Sequence, residues 1–139
     1  MRVTLFFALV ALTAGIALTA VTYQFARTFL LDERTTSARQ QANANANQVR
    51  DELRIDPNTV DVFFQDVNTE PDGFAFLTDP LVPTDQGFQL DDLPGALREA
   101  VGNGESGSQR FTVNGDPYLV IGLHLPGPDT GYIEAFPLA

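Results

Sequence analysis

The stretch Arg39–Arg54, RQQANANANQVRDELR, decides how this chain is built. From Ala42 to Asn47 alanine and asparagine alternate strictly, which is the period of a strand. Alanine is a poor strand former, however, and asparagine favours turns. The low complexity offers a third reading, a solvated linker. The helical period fits best. Leu31, Ala38, Ala42, Ala46, Val49 and Leu53 fall 7, 4, 4, 3 and 4 residues apart, so they share one helical face. Asn43, Asn45 and Asn47 are then expected on the polar sides. No Gly or Pro interrupts the chain between Ala17 and Asp56, and Asp56-Pro57 stops the helix because a residue before proline avoids helical geometry. The stripe Ala38, Ala42, Ala46, Val49 and Leu53 is narrow and mostly small. It predicts an interface with another helix, from the same domain or from a second subunit of a homodimer.

Upstream, Val3–Val21 reads VTLFFALVALTAGIALTAV, nineteen residues without a charge. As a helix it spans about 28 Å, close to the roughly 30 Å hydrocarbon core of a bilayer. Tyr23, Phe25 and Arg27 come next, as at an aromatic interface with a charged edge. A cleaved signal peptide is the alternative, with Arg2 as its basic end and small residues near Ala17 and Ala20 as cleavage sites. The length of the apolar run and the helical sequence beyond it favour a retained anchor. Arg2 lies before the span and Arg27, Arg34 and Arg39 behind it, so charge alone leaves the orientation open. The expected organisation is a transmembrane helix over 1–26, a membrane-proximal helix over 27–55 and an α+β domain over 56–139.

Charge is unevenly placed. Residues 1–54 carry six Arg against Asp32, Glu33, Asp51 and Glu52, while residues 55–139 carry Arg98 and Arg110 against fourteen acids. A domain this acidic repels nucleic acid, which excludes DNA or RNA as partners. There is no Cys and only one His, so disulfides, thiol chemistry and Cys/His metal sites are excluded as well.

In the remaining chain, Asn58 is expected to cap a short helix anchored in the core by Phe63 and Phe64. Phe74–Thr78 (FAFLT) reads as a strand at the sheet edge, and DPLVPTDQG as a loop held irregular by Pro80 and Pro83. LDDLPGALREAVGNG predicts a helix with Asp92 as N-cap and Gly102 at its end. QRFTV, PYLVIGLHL and YIEAFPL predict three consecutive antiparallel strands, the first pair joined through the Asn114-Gly115 turn. In the middle strand Leu119, Ile121, Leu123 and Leu125 face one way, and Tyr118, Val120, Gly122 and His124 the other. The sum is a small α+β domain.

No catalytic constellation emerges. Ser106 and Ser108 lie in a Gly-rich loop without a nucleophile-elbow setting, and GNGESG lacks the Lys and the strand-to-helix context of a phosphate loop. Asp91-Asp92 reads as helix capping, and Asp61, Asp66, Glu70 and Asp72 lack the central Gly of a calcium loop. No metal site and no cofactor is expected in this chain. A ligand site is less easily dismissed, and beside it stands the reading of Tyr118 and Tyr132 as amphipathic core-edge residues with Arg110 paired to a nearby acid. His124 and Tyr118 share a strand face, Tyr132 and Glu134 are expected in register beside them, and Arg110 is one of two Arg in the acidic segment. Converging, these five would form a polar and aromatic cavity for a small ligand. His124 could also sense pH.

VTYQFARTFLLDER, RQQANANANQVRDELR, LPGALREAVGNG, QRFTVNGDPYLVIGLHLPG and YIEAFPL occur in that order. Together they resemble the N-terminal input region of membrane-bound actinobacterial two-component sensor histidine kinases, over essentially the whole chain. The resemblance implies a cytoplasmic amino terminus, residues after about 26 outside the cytoplasm, and a PAS-like or PDC-like α+β sensor domain with an antiparallel sheet and short helices. It also implies a second span, a HAMP linker and a kinase domain using ATP and Mg and serving a response regulator. None of these lies in the 139 residues, so the expectation is a fragment or truncated frame. His124, in a strand, is not the phospho-acceptor. Two other expectations stand beside it: the input region of a membrane nucleotide cyclase, and a complete anchored or secreted binding protein.

Overall fold

The computed structural model describes residues 2–138 apart from 68, 85 and 86. The Ala-Asn run is helical throughout, within α1 (Arg2–Ile55). Two compact units divide the chain, residues 1–36 and 37–139.

In the first unit α1 is the whole structure. It is long and apolar enough to cross a membrane, and Phe6, Phe7, Leu12, Ile16 and Leu18 are all exposed. Threonine hydroxyls bond within the helix: Thr19 Oγ1 donates to the Gly15 carbonyl at 2.8 Å and Thr22 Oγ1 to that of Leu18 at 2.9 Å. Apolar side chains outside and internally bonded polar groups are what a hydrocarbon environment requires. The side chains of Arg2 and Leu31 lie outside the described residues.

The second unit is α+β. After α1 come α2 (Val60–Gln65), β1 (Phe74–Thr78), β2 (Leu81–Pro83), α3 (Gly95–Gly102), β3 (Gly107–Val113), β4 (Asp116–Leu125) and β5 (Thr130–Pro137). The strands form one sheet in the order β2-β1-β5-β4-β3, antiparallel at every pair. The β3-β4-β5 meander agrees with the sequence expectation. Asn114 and Gly115 supply the turn with φ of 53° and 97°, a conformation these two residues tolerate.

Several local expectations are corrected. β2 forms inside the segment expected to be a loop. It is only three residues long and ends at Pro83 on the sheet edge, where a missing backbone donor is tolerated. β1, expected at the edge, is therefore flanked by β2 and β5. Thr59, not Asn58, occupies the N-cap position of α2, while Asn58 folds back to donate to the Asp56 carboxylate at 3.0 and 3.2 Å. Asp92 closes a short 3₁₀ turn by accepting from the Gln89 amide at 2.9 Å, and α3 begins after Pro94.

The sheet has two covered faces. On one, Phe74, Phe76, Val120, Ile133 and Ala135 pack with Leu93, Leu97 and Val101 around α3. Close approach is enabled by Gly122 and Gly131, since a methyl group at either would collide with Val101. On the other face lies the alanine stripe. Ala38 and Ala42 pack on Leu119, Ile121 and Phe136, and Ala46, Val49 and Leu53 join Phe64, Leu77, Leu125 and Tyr132. All five stripe residues are buried within the domain, Ala38 and Ala42 against the sheet and Ala46, Val49 and Leu53 among sheet residues and Val60 and Phe64 of α2. Small side chains suit both partners, because they let any flat surface approach the helix backbone.

Candidate functional site

The seam between residues 38–53 of α1 and the sheet is mostly apolar, with a buried polar cluster at Asn45, Tyr132 and Glu134. Tyr132 and Glu134 lie two residues apart on β5, so both point to the α1 side. Glu134 sits beside Ala75 of β1 and Ile121 of β4 in register, neither of which offers it a polar side chain. Its partners come from its own strand and from α1. Tyr132 Oη donates to Glu134 Oε2 at 2.7 Å, and Asn45 Nδ2 donates to both carboxyl oxygens at 3.1 Å. Glu134 and Tyr132 are 0% exposed and Asn45 8%. The Tyr132 ring meets Phe64 edge to face at 6.0 Å, which fixes the phenol between helix and sheet.

No cation bonds to this carboxyl among the described residues. Burial therefore dominates its electrostatics and pushes Glu134 above the ordinary carboxylate range; the bonds from Tyr132 and Asn45 pull the other way, and the charge of Glu70 adds to the upward push. Tyr132 is pushed well above the usual phenol range, first by burial and then by the adjacent Glu134. The site is a buried acid bonded by two neutral groups, one on the sheet and one on the helix.

Of the five residues expected to converge, only Tyr132 and Glu134 meet. In register they oppose Leu123 and Ile121, which turns them to the α1 side. Tyr118 and His124 face α3 instead. Tyr118 is buried among Phe74, Phe88 and Phe111, and its hydroxyl donates to the Asp72 carbonyl at 3.4 Å. Burial raises its pKa, helped by Asp116 and Asp72. His124 Nε2 lies 3.6 Å from Asp129 Oδ1. Arg110 is exposed on β3 opposite Leu119. The five-residue cavity is thus corrected to a two-residue pair joined by Asn45.

The expectation of a polar side for Asn45 is corrected too, although its position is readable. It lies seven residues after Ala38, three after Ala42 and four before Val49, on the stripe itself. The alternation of the run draws attention to all three asparagines equally, whereas the helical angle singles out one.

Two hollows lie in the domain among the described residues. One of about 360 Å³ is lined by Phe76, Leu81, Pro83, Phe88, Gln89, Leu90 and Asp91. The other, about 280 Å³, lies beside the seam between Arg39, Asn43, Ser106, Gly107, Ile121 and Leu123, where Arg39 Nη2 donates to Ser108 Oγ at 3.0 Å. No group of His, Asp and Glu among the described residues is arranged to hold a metal. No protein-family model matches the chain, and no curated protein matches it.

Proposed function

We propose that this chain is the membrane-anchored input module of a signalling protein, most specifically of a two-component sensor histidine kinase. The observation that carries the reading is the composition of α1. Its first part is apolar enough to cross a membrane, and its residues 38–53 form one wall of the core of a small α+β domain. An input that shifts the packing of those residues on the sheet has a continuous helix along which to act. The antiparallel sheet with short helices agrees with the PAS-like architecture that the resemblance implies. In this reading residues 27–139 are extracytoplasmic, the bilayer is the first partner, and homodimerisation through helices, a small ligand and a response regulator acting on a kinase region belong to the larger protein.

The test is the gene beyond the codon for Ala139. The reading expects a second apolar span, a HAMP linker, a helical phospho-acceptor motif and an ATP-binding domain. Cyclase motifs would replace the kinase with another effector, and a stop codon would leave a complete anchored binding protein; either result overturns the kinase assignment.

A further inference from the structure

A fully buried carboxyl without a cation is an expensive way to fill a core. An apolar residue of similar volume at position 134 would be accommodated among Ala75, Ile121 and Phe136 without desolvating a charge, and such replacements are often neutral or stabilising. The acid instead joins the two elements whose relative packing the proposed signal would alter.

We infer that Glu134 is a proton-linked latch between α1 and the sheet: neutral, it keeps Asn45 and the alanine stripe seated, and ionised, it loosens them. The groups facing it come from each element packed around it. β5 contributes the Tyr132 hydroxyl, α1 the neutral Asn45 amide, β4 the Ile121 side chain and β1 that of Ala75. The further charge acting on it is that of Glu70, another acid, from the segment between α2 and β1. Negative charge at Glu134 therefore meets two neutral donors and one repelling carboxylate. As a neutral acid it needs an acceptor, which the Tyr132 oxygen or a rotated Asn45 amide supplies. The step is simple in its balance: one proton leaves the Glu134 carboxyl for water, and the hydrogen bonds to Asn45 and Tyr132 reorganise around the anion. Unseating residues 38–53 lets water reach the charge, so ionisation and separation favour each other. As a property of the seam the latch is independent of the kinase; as a signal it rests on the input-module reading.

The experiment uses the full chain in lipid nanodiscs, with infrared spectroscopy and hydrogen exchange monitored against pH. The native chain should show the carbonyl band of a buried protonated carboxyl, absent in Glu134→Gln. Amide protection over residues 38–53 should fall as that band disappears, by about tenfold for each unit by which the seated and unseated carboxyl pKa values differ. In Glu134→Gln the protection should not vary with pH in this way. Asn45→Ala, which removes a donor from the anion and leaves the apolar packing, should move the transition to higher pH. The latch is overturned if the protonated band is absent across the acidic and neutral range. It is equally overturned if native and Glu134→Gln profiles coincide, or if Asn45→Ala leaves the transition in place. None of these results depends on the gene beyond Ala139, so the latch and the kinase assignment fail separately.

Discussion

At the scale of single residues, Glu134 makes stability depend on pH in a defined direction. Its folded carboxyl is shifted above the ordinary value of about 4.3. Between the unfolded and folded titration ranges the folded protein holds the extra proton, so stability falls as pH rises through that window and levels off above it. Denaturant midpoints measured against pH should show this decline in the native chain and a flatter profile in Glu134→Gln. Tyr132→Phe deletes the 2.7 Å donor and leaves the ring against Phe64, so it should cost about 1–3 kcal/mol, read as a lower midpoint at neutral pH. That Tyr132 and Glu134 share a strand face is legible in the sequence, because a period of two requires it. Which face they share is not. That depends on the register of β5 between β1 and β4, which places Tyr132 beside Leu77 and Leu123.

At the scale of elements, close approach is the common device on both faces of the sheet. Ala42 is fully buried against Leu119, Ile121 and Phe136, so Ala42→Leu should overpack the seam by about 1–3 kcal/mol, while Ala44→Leu, at an exposed position of the same helix, should be nearly silent. Thermal unfolding of the two variants separates a packed seam from a general effect on the helix. On the α3 face, Gly131→Ala places a methyl group into Val101 and Thr78 and should likewise lower the unfolding temperature. The helix itself and the β3–β4 hairpin are legible because each rests on local chemistry: an unpunctuated run with a periodic stripe, and an Asn-Gly turn. The partner of the stripe is not legible. Small residues announce that something comes close, and a sheet satisfies that as well as a helix does. β2 is hidden for a different reason, since Pro80 and Pro83 argue against regular structure and an edge strand of three residues needs little propensity.

At the scale of the whole molecule, charge and hydropathy separate an apolar N-terminal segment from an acidic domain, whereas the two compact units divide at residues 36–37, inside the segment expected as a membrane-proximal helix over 27–55. The apolar run is readable because its length and composition match what crossing a bilayer requires, and the fold class because strands and helices alternate with clear punctuation. The nature of a stimulus is not readable, since the residues that meet in the core come from distant parts of the chain. If residues 3–21 are the span, Leu12→Arg introduces a charge at its middle at a cost of about 2.5–3.5 kcal/mol to insertion. Alkaline extraction of membranes should then release that variant more readily than the native chain. The most direct measurement uses the absence of cysteine. A single Glu105→Cys substitution at an exposed loop position is treated in intact cells with a membrane-impermeant maleimide. Labelling without lysis is predicted, because in the proposed topology the sheet domain is anchored outside the cytoplasm. Labelling only after the membrane is broken would contradict it.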